Sequence, residues 1–302
     1  MAKSIIVKRR SSTSAPRPST AVKSIAFQGL PGAYSDLACR EVFPRLATLP
    51  TPTFEETFAA LERGKVSLAM IPIENSVAGR VADIHMLIPH ATKLHIIGEH
   101  FQRVNHHLLA VPGASLKTIK VVRSHIHALS QCRDFIRKHG LKAIVHADTA
   151  GAASELAARG DVSEAAIASE LAANIYGLKS LRANIEDAAH NTTRFVILSR
   201  QPVDPGRRRG PVMTSFLFRV RNIPAALYKA LGGFATNGVN MTKLESYMID
   251  GNFSSTMFYA EVEGHPRERL LNLALEELRF FSDELRIMGV YPAHEFRLKA
   301  NR

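Results

Sequence analysis

Between residues 24 and 177 the chain alternates short apolar runs with longer amphipathic stretches, and this alternation restricts the available folds more than any other feature. Residues 24–27 read as a strand, followed by Gly29-Leu30-Pro31-Gly32-Ala33-Tyr34-Ser35 and a helix to about residue 42. A helix over 53–63 carries Phe54, Phe58 and Leu61 on one face, and a strand over 66–73 leads through Glu74-Asn75-Ser76 into a helix from about residue 77. Strands are expected at 106–111, 120–122, 143–146 and 165–169. The helix at 124–139 stops at Gly140, that at 149–159 at Gly160, and that at 170–176 at Gly177. Repeated β–α units of this kind build a mostly parallel sheet covered by helices on both faces, with ligands bound beyond the carboxyl ends of the strands. Gly29 to Ser35, Glu74-Asn75-Ser76, Ser124 and Asp148-Thr149 all fall at those ends. Each alone is an ordinary cap or turn; four in one topological position point to a site.

The pattern changes after Gln201-Pro202-Val203-Asp204-Pro205-Gly206-Arg207-Arg208-Arg209-Gly210, a linker by its Pro, Gly and charge content. Strands are expected at 214–220, 241–249, 256–263 and 286–291, with helices at 225–236 and 267–280. That βαββαβ order implies an antiparallel sheet with two helices on one face, a ferredoxin-like module. With 302 residues, 46% of them apolar, two domains fit the length. The formal charge of +12 suggests a polynucleotide partner only until it is located: residues 1–23 hold six Lys or Arg and no acid, and residues 201–210 add a net +2, leaving +4 for the body. No interleaving of aromatic and basic residues suggests nucleic-acid binding, and no run approaches the ~20 apolar residues of a membrane span. Residues 1–23 read as a disordered basic tail, with an organelle transit segment as the alternative. The two cysteines, Cys39 and Cys132, match no metal or redox spacing and read as core residues in a reducing, cytoplasmic setting. Histidines 85, 90, 95 and 100 recur every five residues and match no metal template; His106-His107 and His125-x-His127 are equally poor ligand contexts.

Asn191-Thr192-Thr193-Arg194 stands directly against the apolar run Phe195-Val196-Ile197-Leu198. Polar groups at such a junction need partners, because each one left unpaired costs roughly 1–3 kcal/mol. Taken alone, the stretch is a capped strand entry with Arg194 in a structural salt bridge.

With these segments placed, residues 24–292 resemble prephenate dehydratase in its monofunctional form, with a C-terminal ACT regulatory domain. The resemblance rests on Gly32-Ala33-Tyr34-Ser35, Pro72-Ile73-Glu74-Asn75-Ser76, Ser124-His125 with Gln131-Cys132, Thr149-Ala150, the AIASELAANIYG stretch at 166–177, and Asn191 to Phe195. It implies a two-lobed catalytic domain over 24–200, like a periplasmic binding protein, with hinges near 103 and 181–191. A linker at 201–210 and an ACT domain over 211–295 would follow. The implied reaction removes carbon dioxide and the 4-hydroxyl from prephenate to give phenylpyruvate. Aromatisation drives it, so no metal or cofactor is expected; the site must help hydroxide depart. Carried across by position, Thr193 is the candidate donor to the leaving hydroxyl. Arg194 is either the anchor of the substrate side-chain carboxylate or a brace turned inward. Glu74 tunes the site or caps a helix, and Asn75, Ser76, Ser124, Thr149, Gln131, Tyr34 and Ser35 complete the set. The ACT portion implies L-phenylalanine as effector at a subunit interface of a homodimer or homotetramer, through Pro224, Ala225, Ala226, Leu227, Asn240, Glu245 and Ser246. Here Ala225 replaces the family's usual glycine, and Tyr247-Met248 its Arg-Pro, which bears on the effector site. Rival expectations are the same enzyme acting on arogenate, and a two-lobed binding protein without chemistry.

Overall fold

The computed structural model describes residues 23–206, 210–221, 223–249 and 252–300. The stretch 1–22, read above as a disordered tail, and Arg207-Arg208-Arg209 of the linker lie outside the described residues. The first segment runs β1 (Ser24–Gln28), α1 (Tyr34–Val42), β2 (Ala47–Thr51), α2 (Phe54–Glu62) and β3 (Leu68–Asn75). A short hairpin strand β4 (Gly79–Arg80) and helix α3 (Ala82–Leu87) lead into β5 (His95–Arg103). The chain then crosses into β6 (His107–Ala110), β7 (Val121–Ser124), α4 (Ile126–Gln131), α5 (Arg133–Lys138) and β8 (Lys142–Val145). It continues through α6 (Thr149–Arg159), β9 (Glu164–Ala168), α7 (Glu170–Tyr176) and β10 (Lys179–Arg182), and returns as β11 (Thr192–Ser199). The C-terminal unit comprises β12 (Val212–Val220), α8 (Ala226–Thr236), β13 (Met241–Ile249), β14 (Asn252–Glu263), α9 (Arg269–Phe281), β15 (Ser282–Pro292) and a final helix, α10 (Glu295–Ala300).

Three sheets result. The first has the order β2-β1-β3-β11-β5, with β4 paired to β3; the second is β10-β6-β9-β7-β8; the third is β13-β14-β12-β15. The expectation of a mostly parallel sheet needs correction. β1 is parallel to β2 and β3, and β7 to β8 and β9, but β11 is antiparallel to both β3 and β5, and β6 to both β9 and β10. The cause is the excursion of the chain: having left the first sheet at β5, it comes back from the other lobe and enters between β3 and β5 in the opposite sense. β5 itself escapes the alternation rule, because its sequence HIIGEHFQR mixes apolar and ionisable residues. The third sheet is antiparallel throughout, as a βαββαβ unit requires.

The helix expected over 124–139 is two helices. Cys132 breaks it at φ −124°, ψ 27°, and Asp187 of the returning segment wedges in, its carboxylate accepting from the Arg133 and Asp134 amides while its own amide donates to the Gln131 carbonyl. Both cysteines are buried, with burial pushing each thiol upward. Likewise, no helix begins near residue 77, because the chain turns there into β4.

Side-chain burial explains how the units assemble. One face of the first sheet packs on α1 through Ile25, Phe27, Ala38, Cys39, Met70, Phe195 and Ile197. Its other face shares a continuous core with the third sheet, in which Ile71, Ile73, Ile96 and Val196 meet Leu217, Tyr259, Met288 and Tyr291. The opposite face of the third sheet is sealed by α8 and α9 through Phe216, Phe218, Phe234, Leu271 and Leu278. Burial of this apolar surface, at ~25 cal/mol per Å², holds the layers together. Among the described residues, no helix is long and apolar enough to cross a membrane.

Candidate active site

The carboxyl end of β3 and the amino end of β11 lie side by side because these strands are antiparallel neighbours, with Thr193 opposite Asn75 and Arg194 opposite Glu74. Successive residues on a strand face opposite ways. Thr193 therefore faces the crossing between the first two sheets, while Arg194 is driven into the interior.

On the Thr193 side the polar groups form one connected network. The Asn75 amide donates to Asn191 Oδ1 at 2.8 Å and to the Thr193 hydroxyl at 3.0 Å. Asn75 Oδ1 accepts from the Val77 and Ala78 amides at 2.9 and 2.8 Å, which folds the chain into β4, and from Gln131 Nε2 at 3.5 Å. Gln131 Oε1 in turn accepts from Asn191 Nδ2 at 2.9 Å and lies 2.9 Å from His106 Nε2. An amide oxygen only accepts, so the His106 proton resides on Nε2 and its Nδ1 is an acceptor. The single proton of the Tyr34 hydroxyl is shared between the Asn105 carbonyl at 2.7 Å and that Nδ1 at 3.0 Å. Burial lowers the His106 pKa against the opposing pull of Gln131 and Glu186, so the ring is neutral at neutral pH. The network joins the first sheet (Asn75), the start of α1 (Tyr34), the returning segment (Asn191, Thr193) and the second lobe (His106, Gln131). One consequence is chemical: the Thr193 oxygen is occupied as an acceptor from Asn75, and its own proton remains to be donated.

The other predicted residues separate into distinct groups. Tyr34, Asn75, Gln131 and Thr193 come together as expected, with both protons of the Asn75 amide already engaged. Ser76 lies at the lip, its hydroxyl donating to the His190 carbonyl at 2.8 Å and accepting from the Thr192 amide at 3.0 Å, which pins the returning segment. Ser124 is fully buried and donates to the Ile167 carbonyl at 2.6 Å, so its hydroxyl couples β7 to β9 and is turned away from the cleft. Thr149 is the first residue of α6, behind the capping Asp148, and is half-buried. Ser35 is buried in the first turn of α1, a helix that opens at Ala33 without a side-chain cap. The lobes also meet here: Gly32 sits at φ +91° so close to Ala172 of α7 that a Cβ would lie 2.7 Å from its Cα, and Tyr176 donates to the Pro31 carbonyl at 2.8 Å.

Arg194 requires a correction. It is 3% exposed, and its guanidinium is spent on three carboxylates: Nε to Glu99, Nη1 to Glu74 and Nη2 to Glu261, each at 2.8 Å. Arg297 binds Glu99 and Glu261 from α10, and Lys243 binds Glu74 from β13 at 2.6 Å. Three carboxylates thus face three cations, which allows the cluster to be buried. Of the two expected orientations, the structure has the inward brace, and it ties the first sheet to the C-terminal unit. Burial pushes the Glu74 carboxyl up, but Arg194 and Lys243 together pull it down to about 2, so Glu74 is ionised and serves this cluster instead of capping a helix.

His106, Asn191 and Glu186 are the site neighbours that sequence reasoning passed over. Asn191 stood within the quoted motif and is fully buried. His106 reads in the sequence only as a poor metal-ligand context, yet buried between Tyr34 and Gln131 it is a link in this hydrogen-bond network. Glu186, which accepts from the His106 backbone amide at 2.9 Å, gave no signal in the sequence.

Comparison with known proteins fits this geometry. The prephenate dehydratase family model matches residues 25–203. A protein of Komagataeibacter europaeus called bifunctional N-acyl-homoserine lactone acylase/prephenate dehydratase is 54% identical over 91% of this chain and 98% of its own length. An arogenate dehydratase/prephenate dehydratase of Arabidopsis thaliana is 40% identical over 89% of this chain and 71% of its own. Among solved structures, the prephenate dehydratase of Arthrobacter aurescens in complex with L-Phe superposes with a TM-score of 0.83 at 29% identity, covering 90% of each chain. The chain belongs to the prephenate dehydratase family.

Proposed function

We propose that this chain converts prephenate to phenylpyruvate, with Thr193 as the donor to the departing hydroxyl. The observation that carries this reading is the Asn75–Thr193 bond, which commits the threonine oxygen as acceptor and leaves its proton for the substrate. In the reaction the bond to the ring carboxylate breaks, its electrons pass through the diene, and the carbon–oxygen bond at C4 gives up hydroxide as the ring becomes aromatic. The charge that grows on the leaving oxygen is met by a preorganised neutral donor in a cleft shielded by two lobes, where such a bond is worth far more than in water. Gln131, Asn191 and the neutral His106 are positioning residues that hold Asn75. With Arg194 committed to the interior, the substrate side-chain carboxylate, which is retained in the product, is assigned to the uncapped start of α1 at Tyr34 and Ser35, whose backbone amides suit an anion. A cation placed on the departing carboxylate would stabilise the ground state and slow its loss.

The C-terminal unit, residues 211–295, acts in this reading as an ACT regulatory domain of a homo-oligomer in the cytoplasm. L-phenylalanine would bind around residues 224–227, Asn240 and the Glu245-Ser246 segment. The L-Phe complex of the Arthrobacter aurescens relative supports an amino-acid effector. The deciding experiment is the appearance of phenylpyruvate from prephenate, with and without phenylalanine, alongside the specificity constant for arogenate; no product from either substrate would defeat the proposal. Arogenate is kept as a second substrate because relatives from Arabidopsis thaliana carry that name. Acyl release from an N-acyl-homoserine lactone belongs in the same experiment, since the relative from Komagataeibacter europaeus bears both activities in its name.

A further inference from the structure

A chain of ion pairs runs from the expected effector segment to the rung beside Thr193. Glu245 lies on β13 and is held loosely, 3.3 Å from Lys243 Nζ and 3.5 Å from the Arg80 guanidinium. The same Lys243 ammonium, 10% exposed, is held tightly by Glu74 Oε2 at 2.6 Å, while Glu74 Oε1 binds Arg194 at 2.8 Å. Arg80 stands opposite Glu74 in the backbone register of the β3–β4 hairpin, whose turn is fixed by the Asn75 side chain. Glu74 and Arg194 form the rung adjacent to the Asn75–Thr193 rung. Lys243 is thus shared between a loose contact and a tight one, with Arg80 close by, an arrangement with a second state close at hand.

We propose that Lys243 and Glu74 are the switch through which an amino acid bound at Glu245-Ser246 acts on the Asn75–Thr193 pair. An effector ammonium claims the Glu245 carboxylate, which releases both Lys243 and Arg80. Both cations then turn to Glu74, whose second oxygen is drawn from Arg194. The Glu74–Arg194 rung loosens, and with it the alignment of the neighbouring Thr193 hydroxyl. Coupling of this kind is reciprocal: substrate held against Thr193 weakens effector binding by the factor by which effector weakens substrate binding. The inference rests on the regulatory reading above.

The test compares wild type with Lys243→Met and Lys243→Arg, measuring phenylalanine binding by calorimetry and prephenate turnover as phenylalanine is added. Lys243→Met is expected to keep uninhibited turnover and phenylalanine affinity within about threefold of wild type, while the inhibitory concentration rises at least about tenfold, within the range of typical coupling energies. Lys243→Arg, which keeps the charge, retains inhibition. If Lys243→Met does not fold, Lys243→Gln carries the same expectation. A purely structural role for Lys243 would lower uninhibited turnover and stability together and leave the inhibition ratio unchanged, and that result overturns the inference while the regulatory reading stands. A wild-type enzyme that neither binds nor responds to phenylalanine removes both.

Discussion

Replacing Arg194 by methionine separates a brace from a substrate anchor. The side chain is 3% exposed, and Glu99 and Glu261 beside it are fully buried. Methionine fills much of the volume but leaves the two buried carboxylates sharing Arg297 alone, and Glu74 with Lys243 alone. Removing one partner of a buried ionic cluster strands charge in a low-dielectric interior and costs about 3–5 kcal/mol. That is a large part of the ~5–15 kcal/mol by which a folded domain is stable. The assay is urea unfolding followed by circular dichroism, together with turnover at a denaturant concentration where the variant is folded. The expected result is a midpoint lowered in proportion to that cost, with KM for prephenate raised by no more than the roughly tenfold that a loosened rung beside Thr193 would cause, whereas loss of a direct substrate contact acting equally on ground and transition states would appear in full in KM. A variant that loses less than about 1 kcal/mol while KM rises a hundredfold would refute the reasoning, because it would place the guanidinium on the substrate.

Thr193→Ala should lower prephenate turnover at least about a hundredfold with folding intact, the scale of one lost transition-state donor; a loss under about threefold in steady-state kinetics would take Thr193 out of the chemistry. Gly289→Ala should weaken the joint between the first sheet and the C-terminal unit, because a Cβ there would stand 2.0 Å from the Ile96 carbonyl oxygen; limited proteolysis of the 200–211 segment should accelerate. Ala225 holds a left-handed φ of 61° ahead of α8, so Ala225→Gly should raise stability by up to about 1 kcal/mol in thermal unfolding. Glu74, held near 2 in the fold, adds stability that is fully present above the unfolded carboxylate range of about 4.3 and disappears as pH falls through that window. Acid unfolding of Glu74→Gln should therefore show a shallower pH dependence than wild type between roughly pH 4 and 2.

Much of this was legible before any coordinates. The β–α alternation and the βαββαβ tail are local patterns, and the polar motifs at strand ends include Tyr34 and Asn75, while Thr193 and Gln131 come from the family resemblance. What failed did so for definable reasons. Thr193 and Arg194 are neighbours on a strand and so cannot both face the cleft; strand parity alone favoured one of them, but the choice of face depended on the partner strand. Ser124 looked like a ligand because it ends a strand, yet the neighbouring Ile167 carbonyl, 43 residues away, takes its proton. β5 carries the polar Glu99 and His100 and so gives no strand signal, because the cations that neutralise Glu99, Arg194 of β11 and Arg297 of α10, lie about one hundred and two hundred residues further on. The break at Cys132 has the same long-range origin in Asp187.

The near-collision of Gly289 with Ile96 also determines which parts of the molecule travel together. The C-terminal sheet is seated on the half that carries Asn75 and Thr193, and they share one apolar layer. An opening at the expected hinges near 103 and 181–191 would therefore carry away His106 and Gln131, leaving Thr193 and the C-terminal sheet as a single piece. Breathing between the lobes and movement of the C-terminal sheet would then be mechanically independent, and both reach the Asn75–Thr193 pair, one through Gln131 and Asn191 and the other through the neighbouring Glu74–Arg194 rung.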